Sequence, residues 1–217
     1  MPGPFHHEKL YRGESLVARL AAARLTLCGA GAVGSNLADN LVRQGARRLR
    51  VIDHDRVEEH NVSTQAYASA DVGAWKVESL RARLFRVAGV EIDAVCKELN
   101  EHNAHRLIAP AGTDLVIDAF DNSRSRELVQ QHCRAAGVPC LHIGLAADYA
   151  EVIWNADYRV PRDVGGEVCD YPLARNLVLL SVAVAAETIL RFLAEGREEG
   201  WTITLRDLRC AAHINQG

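Results

Sequence analysis

The chain has 217 residues, 48% hydrophobic and 24% charged, with a formal net charge of −3; that length suits one domain with a full core. The mild acidity, without a basic stripe of interleaved aromatics, gives no reason to expect a nucleic-acid surface. The N-terminal "MPGPFHHEKLYRGES" lacks the apolar core of a signal peptide, and the six cysteines form no C-x-x-C pair, so neither a disulfide scaffold nor a four-cysteine zinc site is expected and a reducing, cytoplasmic home is.

Runs rich in Val, Ile and Leu alternate with helical patterns, as in a parallel sheet with crossover helices. After a helical lead-in over residues 1–23, strands are expected at 24–29, 48–53, 90–95, 114–119 and 138–145. Helices are expected at about 33–44, 73–88, 101–109 and 123–136. Beyond Gly144, "YAEVIWNADYRV" alternates like an antiparallel strand and "PRDVGGEVCDYP" is a turn-rich loop. A long helix follows from about Leu173, and "WTITLRDLRCAAH" closes the chain with one more strand. The apolar run from Leu177 to Leu193 is short for a bilayer, carries Glu187 and Arg191, and reads as a buried helix, so no membrane partner is expected. The expected fold is one α/β domain with a doubly wound, mostly parallel sheet and antiparallel additions over 145–217.

The first strand runs into "GAGAVG", where Gly29, Gly31 and Gly34 permit a tight strand-to-helix turn, close approach of backbone to phosphate, and close helix packing. The helix that opens near Val33 points amide N–H groups at an anion. Asp53 follows by about twenty residues at the end of the second strand, where a carboxylate can accept hydrogen bonds from ribose hydroxyls. Asp55 either faces the same site or caps the next turn. This fingerprint suits a nicotinamide cofactor as well as ATP.

Further residues separate the two. Asn61 can donate to phosphate oxygens, and Lys76 in "DVGAWK" sits in the first turns of a helix, where an ammonium can reach a triphosphate. "DLVIDAFDNSRSRE" puts Asp118 near the end of a buried strand and Asp121 just past it, at the edge of a parallel sheet that faces ligands. A carboxylate at Asp121 can hold Mg²⁺ against phosphates; capping of the following helix by Asp121 or Ser123 is the alternative reading.

The ordered set G-x-G-x-x-G, D-x-D, N-x-x-x-Q, G-x-x-K and D-x-x-D-N resembles the ThiF/MoeB/HesA family, ATP-dependent activating enzymes related to ubiquitin-activating enzyme, from about Tyr11 to about Leu208. The resemblance implies adenylation: a carboxylate, typically the C-terminal glycine of a ubiquitin-like or sulfur-carrier protein, attacks the α-phosphate of Mg-ATP and releases pyrophosphate. It implies that Gly29, Gly31 and Gly34 line the nucleotide turn and that Asp53 holds the ribose. Asn61, Gln65 and Lys76 then surround the phosphates, Asp121 holds Mg²⁺, and Arg126 steadies the site from the next helix. A homodimer is implied too, and the apolar helix 177–193 offers a face for one.

The chain departs from that pattern in three places. "NVSTQ" puts Thr64 where the family has a phosphate-binding arginine. The family's zinc-binding cysteine pairs are missing. Arg12 lies in the region where members supply an arginine to a partner subunit, with a shorter lead to the glycine turn. Cys169 occupies about the place where some members accept the activated acyl group, but Asp170 beside it would raise its pKa. A nicotinamide oxidoreductase, or a catalytically weak scaffold or heterodimer subunit, stays open as an alternative.

Overall fold

Five short segments run parallel at the centre of the protein: β1 (Arg24–Cys28), β2 (Arg48–Ile52), β3 (Asp93–Val95), β4 (Leu115–Asp118) and β5 (Cys140–Ala146). The computed structural model describes residues 2–161 and 172–213. Three antiparallel strands extend the sheet, β6 (Tyr149–Trp154), β7 (Trp201–Thr204) and β8 (Arg209–Ala212), in the order β3-β2-β1-β4-β5-β6-β7-β8. The α/β reading, mostly parallel with an antiparallel C-terminal part, therefore holds.

Both faces of the parallel part are covered, which is why its strands are almost continuously apolar. Leu25, Leu27, Leu115 and Ile117 enter one core with α2 (Glu14–Ala22), α3 (Ala32–Gln44), α4 (Lys76–Ala88) and α7 (Arg175–Glu195). Their alternates Cys28, Ile52 and Val116 enter a second core with α5 (Ala104–Leu107) and α6 (Ser123–Ala136). Ahead of α2, α1 (His6–Arg12) is set off by Gly13.

Register decides where the site sits. Cys28 stands opposite Ile52 on one side and Asp118 on the other. The residues that follow these three therefore emerge side by side at the carboxyl edge, at the switch point between β1 and β4 where doubly wound sheets bind ligands.

Four elements differ from the sequence reading. The closing segment is two strands, β7 and β8, because residues 205–208 turn back, with Leu208 at φ +52°. The third strand shortens to Asp93–Val95, and the helix expected at 101–109 shrinks to Ala104–Leu107. The fourth helix starts at Lys76, not at residue 73. There Gly73 N–H donates to Val57 O, Val57 N–H to Ala74 O and Lys76 N–H to Asp55 O, so residues 73–75 are held extended against 55–57.

The last helix, α7, is longer than its apolar run suggests. At 21 residues it is long and apolar enough to cross a bilayer. Its residues Leu177, Val178, Ser181, Val182, Ala185, Ala186, Ile189 and Leu190 are nevertheless buried, at a helical spacing that faces the sheet and α3.

Candidate active site

The glycine turn owes its shape to two close approaches. Gly29 has φ +97°, and a Cβ there would lie 2.8 Å from Ala119 O; a Cβ on Gly34 would lie 1.9 Å from Gly29 O. Only hydrogen fits at either position. Gly31 is different: a Cβ there would meet nothing within 4 Å. Its own neighbourhood is open space, at the residue that caps the N-terminus of α3. The first amides of that helix have no side-chain cap, which leaves them to an anion.

Asp53 locks this turn to β2. Its Oδ2 accepts from Ala30 N–H at 2.7 Å and its Oδ1 from Asp55 N–H at 2.7 Å. Burial lifts its pKa above the ordinary aspartate value, and nearby Lys76 and the two N–H donors pull the other way. Each carboxylate oxygen keeps a lone pair for a ribose hydroxyl.

A second layer ties residues 61–67 to the same turn. Tyr67 Oη donates to Ala30 O at 2.8 Å. Ser35 Oγ donates to Gly31 O at 2.7 Å and accepts from Ala66 N–H at 3.0 Å. Asn36 Nδ2 donates to Thr64 O at 2.9 Å. Within this segment Asn61 is buried, its Oδ1 accepting from Glu58 N–H, which leaves its amide NH₂ as a donor. Gln65 Oε1 is buried without a hydrogen-bond partner. An orphaned buried amide costs about 1–3 kcal/mol. Turning that amide over sets its NH₂ group at the same spot, ready for a phosphate oxygen.

Lys76 opens α4 with its side chain mostly buried and its Nζ 2.9 Å from Asp55 Oδ2. Across the edge, Asp118 is fully buried: Oδ2 pairs with His142 Nδ1 at 2.8 Å, and Oδ1 accepts from Phe120 N–H at 3.2 Å. His142 Nε2 in turn meets Asn155 Oδ1 at 2.9 Å, and its ring stacks on Tyr158 with centroids 3.8 Å apart. Asp118 is thereby committed to the protein. Asn122, not Asp121 or Ser123, caps α6 by accepting from Ser125 N–H at 2.8 Å. The exposed carboxylate of Asp121 is left outside the cap, beside the switch point.

Two arginines are engaged within the fold. Arg126, expected to steady the nucleotide site from the next helix, is buried and donates to Ile143 O at 2.8 Å and Tyr158 Oη at 3.0 Å, with Asp118 at 3.7 Å. Burial works against its charge, but Asp118 and Tyr158 more than offset this and hold its pKa up. It steadies the loop beneath the site. Arg12, read as catalytic, pairs within its own chain with Glu8 at 2.6 Å and Glu187 at 2.9 Å, which fastens α1 to α7. Cys169 lies outside the described residues.

The sequence reading missed Tyr67, Ser35, Asn36 and the His142–Asn155–Tyr158 cluster. One signal was available for His142: a polar residue inside "VPCLHIGL", in a strand covered on both faces, must find a buried partner.

Among the described residues, no group of three or more His, Cys, Asp and Glu side chains could hold a metal by itself. The donor set suits Mg²⁺ brought with phosphates, which needs only one or two carboxylates.

The chain matches the family model described as "ThiF family" over residues 8–160. The chain belongs to the ThiF family. Among curated ThiF-like relatives, the SAMP-activating enzyme E1 of Haloferax volcanii is 34% identical over 126 residues, which is 57% of this chain and 46% of that protein. The sulfur carrier protein ThiS adenylyltransferase of Bacillus subtilis is 27% identical over 212 residues, covering 91% of this chain and 62% of that protein. The chain thus spans less than two thirds of either relative. In fold it is similar to the crystal structure of E. coli MccB with ATP, with a TM-score of 0.79 and 18% identity over 96% of this chain and 69% of that one.

Proposed function

We propose that this ThiF-family chain is an ATP-dependent adenylyltransferase that activates the C-terminal carboxylate of a ubiquitin-like or sulfur-carrier protein or peptide. The observation that carries the reading is the convergence, at one switch point, of an uncapped helix N-terminus, the ribose-type carboxylate Asp53 and the cation Lys76. A nicotinamide dehydrogenase needs the first two but gives no role to the third.

The chemistry asks little of the protein beyond placement. One carboxylate oxygen of the acceptor bonds to the α-phosphorus, the bond from that phosphorus to its bridging oxygen breaks, and pyrophosphate leaves. No proton has to be removed, because the acid is already ionised near neutral pH. The barrier is the approach of one anion to another. Alignment by the α3 amides and Asp53, and neutralisation by Lys76, lower it. Asp121 would hold Mg²⁺, which supplies further positive charge when bound.

The likeness to the SAMP-activating enzyme of Haloferax and the ThiS adenylyltransferase of Bacillus supports a small carrier protein as acceptor. A homodimer belongs to the same proposal; exposed Leu179 and Leu180 on α7, with Leu10 and Tyr11 on α1, are the apolar side chains that support it. The test is ATP–pyrophosphate exchange with candidate carrier proteins ending in Gly-Gly, together with trapping of the acyl-adenylate. Exchange that depends on both acceptor and Mg²⁺, and is lost in Asp121→Ala, supports the reading. Exchange unchanged in Asp121→Ala and Lys76→Ala removes it.

A further inference from the structure

We infer that Arg175, in the first turn of α7, contacts the β- and γ-phosphates of the nucleotide and supplies the cation that Thr64 cannot. The inference rests on the ATP-binding reading above and identifies a residue for it.

Charge balance makes the need concrete. Asp53, Asp55, Asp118 and Asp121 gather at or beside the carboxyl edge, and a nucleoside triphosphate and an acceptor carboxylate would add more negative charge there. The cations already described do not balance that charge. Arg126 is buried, with Nη1 and Nη2 donating to Tyr158 and Ile143, and Lys76, held beside Asp55, brings a single positive charge. Transition-state charge in such a crevice calls for a further donor.

Position points to Arg175. Its Nη1 lies 3.4 Å from Ser63 O, the carbonyl immediately before Thr64. Thr64 O is held by Asn36 on α3, and two residues on, Ala66 N–H is held by Ser35 Oγ, which also donates to Gly31 O. The segment 63–66 is thus held on one side by α3 next to the phosphate turn at Gly31 and touched on the other by the guanidinium on α7. Gln65, with its buried unpaired side-chain oxygen, belongs to the same segment. Asp53 anchors the ribose end of the nucleotide at β2, so a triphosphate crossing the start of α3 extends toward residues 63–65.

Availability and shape complete the case. Arg175 is exposed, and its bond to Ser63 O is at the long limit for a hydrogen bond, so little is lost when it is exchanged for a phosphate. No carboxylate forms an ion pair with it among the described residues. A guanidinium can offer two parallel N–H donors to one phosphate group, as threonine's hydroxyl cannot. Arg175 thus stands against the residue that precedes Thr64: where the family pattern carries the charge on the loop, this chain carries it on α7.

Titration calorimetry of the full chain with Mg-ATP and, separately, with AMP tests this without knowledge of the acceptor. Arg175→Ala should weaken Mg-ATP about tenfold or more and leave AMP unchanged, since AMP has no β- or γ-phosphate. Thr64→Arg in the Arg175→Ala background should restore most of the Mg-ATP affinity, and Arg175→Lys should retain part of it. Unchanged Mg-ATP affinity in Arg175→Ala overturns the inference. So does an equal loss for ATP and AMP, which marks a structural role, or a failure of Thr64→Arg to restore binding. A wild-type chain that binds no Mg-ATP overturns the proposed function itself, which separates the two failures.

Discussion

Lys76 Nζ and Asp55 Oδ2 lie 2.9 Å apart, the lysine side chain 10% exposed and the aspartate 52% exposed. The pairing holds an ammonium at the mouth of the crevice before any nucleotide arrives. Because the carboxylate is half in water, the pair is worth only about 0–1 kcal/mol, so a phosphate can take the lysine away at little cost. Lys76→Ala should therefore lower acceptor-dependent ATP–pyrophosphate exchange by about 10²–10³-fold. Its melting temperature should move by no more than a few degrees. Exchange kinetics and a thermal melt on the same preparation check both halves.

Asp53 gives a dependence on pH. The ionised carboxylate is the stronger acceptor for ribose hydroxyls, and burial raises its pKa above the ordinary aspartate range. On acidification it therefore loses charge earlier than an exposed aspartate, and nucleotide affinity should fall with it. The loss attributable to Asp53 is the part of the acid-side fall that Asp53→Asn abolishes, because the phosphate of AMP also titrates, at about pH 6. AMP titrations from neutral to acidic pH check the slope; Asp53→Asn should bind more weakly and lose that part of it.

The glycines should separate folding from binding. Gly34→Ala forces a methyl group to 1.9 Å from Gly29 O and should disrupt the turn, with a loss of stability large enough to see in a urea melt. Gly31→Ala meets nothing within 4 Å, so the fold should survive. The added methyl group would stand in the open space where a phosphate approaches. Its expected signature is a wild-type melt with nucleotide binding weakened at least tenfold.

Beneath the site, the carboxylate of Asp118 answers to three buried donors or cations: His142, Arg126 and the Phe120 amide. Asp118→Ala leaves the imidazole and guanidinium buried without their anion, at a cost of about 3–5 kcal/mol. For a chain of this size that corresponds to a drop in melting temperature of roughly 10 °C. Asp121→Ala, at an exposed carboxylate, should melt like wild type.

Much of this was legible in the residues. The alternation of apolar runs and helices revealed β1, β2, β4 and β5, and the spacing from Gly29 to Asp53 put both on neighbouring strand ends. Long-range pairing was not legible. Nothing local to "DVGAWK" says that residues 73–75 will be pulled extended against 55–57, delaying α4 to Lys76. The family resemblance put Arg126 beside the site; its commitment to Tyr158 and Ile143 depends on β5 and the segment after β6, far along the chain. Arg12 likewise meets Glu187 only once α7 has folded across it.

The central claim is that this crevice holds a nucleoside triphosphate and not a nicotinamide dinucleotide. Calorimetric titration of the intact chain with Mg-ATP and with NAD tests it most directly. The account predicts saturable Mg-ATP binding that Lys76→Ala weakens, with NAD binding much weaker or undetectable. Tight NAD binding with no heat from Mg-ATP would contradict it.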